Sequence, residues 1–475
     1  MRRLVPLAAP LVWVGGGALA LWLAFGHGFA NYDTLYALVW GGELARGEPA
    51  DFGAPLTPTP HPLATLLGVL TSPLGDGAET VVIALAFVSL AAVGYLTYRL
   101  GAAWFGAGVG LVAAAIVLTR EPILSFGVRA YVDVPFVALA LAALLVETRR
   151  PRAGLPVLAL LVPAGLLRPE AWLLSFAYLG YLAVAGGRGR RELAGLAAVA
   201  AAGPALWAIS DLIVTGDALH SLSGTRENAE TLNRPTGLDD LPAVMPRRLG
   251  EILREPVLIG AAGGGLLALA LLRRRALLGA AAGVAAVVAF AVLAAAGLPI
   301  ITRYLMLAAT ILAIFAGAGA LGWLRLPPGH RWRGRWRAFG ALVLALLAVY
   351  GSEQYERLDD LQQRIAAQER IRGDLHELVR AGAFESGDGL DCGPITVPNH
   401  RPVPLLALWL ERRPSEIESA QLVRPEAGYY LDPASAEIER LYTLDKNDPG
   451  ELTAEVPRGF ERAAENRSWR VFRRC

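Results

Sequence analysis

With 475 residues, 54% of them hydrophobic and only 18% charged, and with a positive mean hydropathy, the chain is too apolar for an ordinary soluble protein of its size. The formal net charge of +2 excludes little by itself, because in a membrane protein the placement of the arginines matters more than their sum. Lysine occurs once, at Lys446, so Arg carries nearly all the positive charge.

Apolar runs long enough to cross a bilayer core of roughly 30 Å recur about eleven times. They cover residues 5–26, 80–98, 104–119, 132–147, 154–167, 171–187, 193–214, 256–272, 276–297, 303–324 and 338–352. The run at 154–167 is short and holds two prolines, which fits a broken or tilted helix; 62–74 is apolar but short, and fits a re-entrant or interfacial helix. The first run follows Met1-Arg2-Arg3 and contains Ala18-Leu19-Ala20, which imitates a signal-peptidase site. Its length and the spans that follow favour an uncleaved anchor with a cytoplasmic amino terminus.

Alternate breaks carry arginine clusters: Arg2 and Arg3, Arg99, Arg149 with Arg150 and Arg152, Arg188 with Arg190 and Arg191, Arg273 to Arg275, and Arg325 with Arg331, Arg333, Arg335 and Arg337. Under the positive-inside rule these are the cytoplasmic loops. The break from Thr215 to Glu255 holds five arginines interleaved with acids and reads as an outer loop. Eleven spans from an inside amino terminus leave the carboxy terminus outside, in an oxidising compartment. There Cys392 and Cys475, the two cysteines of the chain, would pair as a disulfide; two unrelated free thiols are the alternative.

After Gly351 the composition changes. Ser352 to Glu385 is charged with apolar residues at helical spacing, and the breakers Ser386-Gly387-Asp388-Gly389 follow. Pro394 to Pro398 reads as a strand, Val403 to Leu410 as a helix and Ser468 to Phe472 as a strand. The expected fold is mainly α: a polytopic transmembrane helical bundle over residues 1–352, and a small α/β extracytoplasmic domain over 353–475.

On this topology the outer face collects Asp33, His61, Glu121, Arg129, Asp133, Arg168, Glu170, His220 and Arg303. Charges at span ends are costly unless they are paired or face a wet cavity, so they are candidates for function; snorkelling and structural pairing are the bland readings. Asp33 follows the first span, and a carboxylate there can take a proton from a hydroxyl or hold a metal that does so. The run Thr57-Pro58-Thr59-Pro60-His61-Pro62 would fold a semi-rigid loop back over it, with His61 as a ligand, a phosphate contact or a structural residue. Arg129 and Asp133, four residues apart, would share one side of a helix that begins there: either an internal pair, or Arg129 facing a phosphate with Asp133 orienting it. Leu167-Arg168-Pro169-Glu170 reads as a tight outer turn. Arg303-Tyr304 opens a late span, where the planar fork of Arg suits a lipid phosphate and Tyr suits the interface.

These residues resemble the GT-C membrane glycosyltransferases, particularly the branch related to protein mannosyltransferases and aminoarabinose transferases. The likeness rests on an acid in the first outer loop, Arg-x-x-x-Asp-x-Pro at a span start, an Arg-Pro-Glu turn, an Arg-Tyr pair opening a late span, and a C-terminal outer domain. The resemblance implies a polyprenyl-phosphate sugar donor, a catalytic acid at Asp33, and inverting transfer in one step. Many relatives have two adjacent acids, but here Thr34 follows Asp33, so Asp133 is the candidate second carboxylate. Some relatives use a divalent metal, and metal dependence stays open. The expected partners are a polyprenyl-phosphate-linked sugar, the lipid bilayer, and a glycan, lipid or protein acceptor. The expected location is the cytoplasmic membrane. A transporter or flippase is the rival reading, although it would place its ionisable groups nearer mid-membrane. No P-loop or nucleic-acid module is present.

Overall fold

The structure, a computed structural model, describes residues 8–385, 392–443 and 456–475. The Met1-Arg2-Arg3 start, the breaker run at 386–389 and Lys446 lie outside the described residues. In chain order the helices are α1 (Ala8–Phe25), α2 (Tyr32–Ala45), α3 (Pro62–Thr71), α4 (Gly77–Phe105), α5 (Ala107–Val117), α6 (Glu121–Val128), α7 (Asp133–Arg149), α8 (Leu155–Gly165) and α9 (Glu170–Ala185). They continue with α10 (Arg190–Thr215), α11 (His220–Thr231), α12 (Leu241–Leu271), α13 (Arg273–Ala295), α14 (Met306–Leu321), α15 (Arg333–Val349), α16 (Gly351–Arg380) and α17 (Val403–Leu410).

Among the described residues, five helices are long and apolar enough to cross a membrane: α4, α10, α12, α13 and the run Thr302–Arg325 containing α14. The number is seven if α5 with α6, bent by 67°, and α15 with α16, bent by 42°, each make one span. The protein is therefore a multi-pass membrane protein. Length and composition alone give five to seven crossings, where the sequence reading expects about eleven. The difference lies in short helices, Ala9–Phe25, Leu155–Gly165 and Glu170–Ala185, and in α7, whose apolar stretch is bounded by Asp133, Glu147 and Arg149. The segment from Thr215 to Glu255, expected as an outer loop, is substantially helical. It contains α11 and the first turns of α12, which is kinked at Arg254.

The chain divides into two compact units: residues 1–27, 83–209 and 235–361 form the first, and residues 28–82, 210–234 and 362–475 the second. The second thus adds two earlier segments to most of the polar C-terminal part that composition alone marks off at residue 352.

In the first unit α14 is the central helix. Its sequence, MLAATILAIFAGAGAL, is apolar and small on every side, as a helix surrounded by protein requires. A Cβ on Gly264 would lie 2.1 Å from the Phe315 carbonyl oxygen, and one on Gly319 would lie 2.4 Å from that of Gly260. Gly260 and Gly264, one turn apart on α12, thus let two backbones touch, the small-residue packing that replaces hydrophobic driving force inside a membrane. Gly317 meets α5 in the same way at the Val109 carbonyl, and Gly340 of α15 meets the Ala320 carbonyl. In the last turns of α7 the buried Glu147 accepts from the backbone N–H groups of Arg152 (2.6 Å) and Ala153 (3.2 Å) in the following loop and from the Tyr178 hydroxyl (2.6 Å).

In the second unit a mixed five-stranded sheet has the order β2-β1-β3-β5-β4, with β1 (Ile395–Val397), β2 (Ile417–Ser419), β3 (Gly428–Pro433), β4 (Glu461–Glu465) and β5 (Trp469–Arg474). β1 runs parallel to β2 and β3, whereas β5 is antiparallel to β3 and β4. Ile371, Leu375 and Leu378 of α16 share a core with Ile395, Val397, Tyr429, Leu431, Trp469 and Val471, and the Trp469 indole donates to the Ile371 carbonyl at 2.9 Å. Cys392 and Cys475 are joined as a disulfide that closes 83 residues.

Two outcomes test this packing. Gly264→Ala should lower the melting temperature of the detergent-solubilised protein, at a cost of about 1–3 kcal/mol for overpacking. Gly265→Ala, whose Cβ meets only the Phe315 ring at 3.8 Å, should leave it unchanged. Cys475→Ser should destabilise the second unit by about 4 kcal/mol on the chain-entropy account, read as faster proteolysis of the C-terminal part.

Candidate active site

The first unit gathers five of the charged residues singled out in the sequence. Asp133 opens α7 and Glu170 opens α9, so both carboxylates lie in first turns, where the helix field favours negative charge. Arg168 lies between them, its guanidinium 3.1 Å from the Asp133 carboxylate and 2.6 Å from that of Glu170. All three are buried, at 1%, 3% and 4% exposure for Asp133, Arg168 and Glu170. Two acids answering one guanidinium is a geometry in which buried charge is tolerated. The Tyr304 ring covers that guanidinium at 3.7 Å from its centroid, a cation–π contact that completes the enclosure.

Arg303 sits in the single turn Thr302–Leu305 that leads into α14. Its Nε is 4.0 Å from the second oxygen of Asp133. The turn is anchored by the Thr302 hydroxyl, which donates to Glu251 at 2.8 Å, and Glu251 in turn accepts from Arg248 at 3.0 Å. Arg129 and Arg303 lie over the Tyr131 ring, at 5.2 and 5.1 Å. Arg129 and Arg303 therefore stand beside the Asp133–Arg168–Glu170 cluster.

Of the two readings of Arg129 and Asp133, the pair within one helix does not form. α6 ends at Val128 with Arg129 as its C-cap, and α7 begins only at Asp133. Between them Ala130 takes a positive φ of 50°, a left-handed conformation that a non-glycine residue adopts at a cost. This turn breaks the helical register that the four-residue spacing assumes. Arg168 is also less of a phosphate ligand than its sequence position implies, since two carboxylates already engage its charge. The couplings the sequence reading missed are Tyr131 and the Glu251–Thr302 contact; the aromatic beside Arg129 was a visible cue, whereas nothing local marks a contact 51 residues apart.

Asp33 and His61 belong to the second unit. Asn31 is the N-cap of α2, its side-chain oxygen accepting from the Asp33 N–H at 2.8 Å and the Thr34 N–H at 3.4 Å. Asp33 is therefore in the first turn of a capped helix and half-buried. Tyr32, Tyr36 and Trp40 form an i, i+4 stripe on α2 with ring centroids about 5 Å apart, continued by Phe52 and His220, while His400 packs on Tyr32. The proline-rich run lies close by: the Tyr32 hydroxyl donates to the Leu56 carbonyl at 3.3 Å, Asn228 donates to the Thr57 carbonyl, and the Thr59 and Thr225 hydroxyls are bonded. His61 is buried as the N-cap residue of α3. Gly41 and Gly68 allow α3 to press on α2 with backbone contact.

At the far end of α2, Trp40 donates to the Asp51 carbonyl at 2.7 Å, and the Asp51 N–H donates to Glu43 at 2.8 Å. Burial pushes the Glu43 carboxyl above its usual range. Burial also opposes the charge of Asp51, but hydrogen bonds from Ser415 and Gly53 outweigh it and hold that carboxyl below the usual value.

Among the described residues no three His, Cys, Asp or Glu side chains gather as a metal-binding group. A divalent cation held by both Asp133 and Glu170 would have to displace the Arg168 guanidinium.

No protein-family model matches the chain, and no curated protein matches it by sequence. Among solved structures it is similar to ArnT from Cupriavidus metallidurans bound to undecaprenyl phosphate, with a TM-score of 0.55 and 14% identity over 98% of this chain and 98% of that one. The chain has the ArnT fold. ArnT in the apo state matches over the same shares with a TM-score of 0.53 and 14% identity. The apo Archaeoglobus fulgidus oligosaccharyltransferase matches at 0.50 with 12% identity, over 92% of this chain and 70% of that one. The likeness to ArnT bears out the expected fold class, a mainly α helical bundle with a small C-terminal sheet.

Arg168→Ala should destabilise the protein strongly, by about 3–5 kcal/mol, because it leaves two buried carboxylates facing each other. The triple variant Arg168→Met with Asp133→Asn and Glu170→Gln should recover most of that loss, as read by thermal unfolding in detergent.

Proposed function

We propose that the protein is an inverting glycosyltransferase that moves a sugar from a polyprenyl-phosphate donor to an acceptor hydroxyl of a glycan, lipid or protein. The reaction takes place on the outer face of the cytoplasmic membrane, with the amino terminus cytoplasmic and the C-terminal part extracytoplasmic. The observation that carries this reading is the ArnT fold over 98% of both chains, with Asp33 opening a helix whose N-cap and aromatic stripe hold it. ArnT was solved with undecaprenyl phosphate bound, which supports a lipid-phosphate donor.

Asp33 is the general base. Its carboxylate takes the proton of the acceptor hydroxyl as that oxygen bonds to the anomeric carbon. The bond from the anomeric carbon to the phosphate oxygen breaks in the same step, and its electron pair leaves with the polyprenyl phosphate. Charge on that leaving group calls for fixed cations, and Arg303 and Arg129 have the chemistry for it. Arg168 fixes the orientation of Asp133, which serves as the second carboxylate, and Glu170 completes the balance of charge. Tyr304 shields the guanidinium from water, and His61 supports the loop next to α2.

The test is transfer of label from radiolabelled polyprenyl-phosphate sugars to a cell-envelope acceptor fraction, with purified protein in liposomes. Wild type should transfer from one donor, and Asp33→Asn should lose about 10²–10⁴-fold of the rate, the usual share of a general base. Full activity in folded Asp33→Asn would remove Asp33 from its role. Translocation of a lipid-linked sugar without any transfer would replace the enzyme reading with a flippase.

A further inference from the structure

Apart from the Asp133–Arg168 cluster, the first unit has a second concentration of positive charge. A small cleft is lined by Arg120, Arg254, Arg357, Leu347, Tyr350 and Glu353. Arg120 occupies the break between α5 and α6, where the chain turns by 67°. It is only 9% exposed. Its terminal nitrogens reach the Leu253 carbonyl at 3.3 Å and the Thr119 hydroxyl at 3.4 Å, both long contacts, and its Nε has no hydrogen-bond acceptor among the described residues. Its charged neighbours are Arg254 and Arg357, both cations. The acid in the cleft, Glu353, is engaged by Arg357 at 2.5 Å. Three guanidinium groups thus share one carboxylate, and the most buried of them has none.

Such an arrangement is costly without an anion. Arg254 adds a second cost, because it holds φ 66° and ψ 163° in the middle of α12, a conformation that glycine accepts far more readily. The cleft also has an apolar side, Leu347, Tyr350 and Pro256. It lies where the apolar α15 passes into the charged α16, next to the exposed Val349, Tyr350 and Tyr355. Exposed tyrosines at the end of an apolar helix mark the level of lipid headgroups.

We infer that this cleft binds the phosphate of an anionic phospholipid of the surrounding bilayer, with the guanidinium groups of Arg120, Arg254 and Arg357 on the phosphate oxygens and the first part of an acyl chain along Leu347 and Tyr350. Arginine forks match phosphate oxygens in pairs, and weak hydration makes Arg the suitable cation at a half-dry site. The site shares no residue with the proposed transfer machinery and does not depend on that function.

The experiment is native mass spectrometry of the full chain released from nanodiscs of phosphatidylcholine with phosphatidylglycerol. Wild type should retain phosphatidylglycerol over phosphatidylcholine. Arg357→Gln and Arg254→Gly, the latter keeping the positive-φ kink, should lose at least about tenfold of that preference while eluting and melting as folded protein; one hydrogen-bonded charge contact is worth about that much. Arg303→Gln should keep it. Equal retention of the two lipids by wild type, or unchanged preference in both cleft variants, would overturn the assignment. So would full displacement of the lipid by millimolar inorganic phosphate, which would mark a free-phosphate site, or preferential retention of polyprenyl phosphate, which would make the cleft part of donor binding.

Discussion

A guanidinium buried among apolar helices must be answered by negative charge within a few ångströms, and Arg168 imposes this requirement on the first unit. Its two partners come from the starts of different helices, Asp133 on α7 and Glu170 on α9. Satisfying one charge therefore fixes the ends of two helices together. Tyr304 lies on the guanidinium and belongs to the turn that leads into α14, so the same ion also registers the central helix. Moving any of these helix starts by one residue would leave a charge buried without its partner.

The glycine contacts of α14 supply the complementary constraint. Where Gly260, Gly264, Gly319 and Gly340 bring backbones into contact, the helices can neither slide nor rotate without a clash. Rigid packing along the helix bodies and ion pairing at their starts together hold side chains such as Arg303 in place, an arrangement that favours preorganised charge recognition. The second unit reaches a similar end by different means: an N-cap, an aromatic stripe and a proline-rich loop position the start of α2, and a disulfide closes the sheet region.

The positive-φ residues Ala130 and Arg254 lie beside the two arginine-rich sites, one between Arg129 and Tyr131 and the other in the kink of α12. Both break a helix at the point where a cation must turn inward. That coincidence has a simple physical basis, because a regular helix would carry these side chains past the site along its own spiral.

Much of the molecule was legible in the sequence. Hydropathy periods located the apolar helices because a bilayer filters for length and polarity, and Val403 to Leu410 became α17 with the expected limits. The strand at Ile395–Val397 and the one beginning at Trp469 also lie where β-rich segments predict them, whereas β3, written GYYLDP, carries no alternation and took its place only through its neighbours. The charged span-end residues stood out because polar groups are rare there. The tertiary structure decided which of them meet. Arg129 and Asp133 look paired by spacing, yet a left-handed Ala130 separates them, and Asp133 instead meets Arg168 and Arg303, 35 and 170 residues away. Composition records the cost of each charge, whereas only the packed chain determines which opposite charge offsets it.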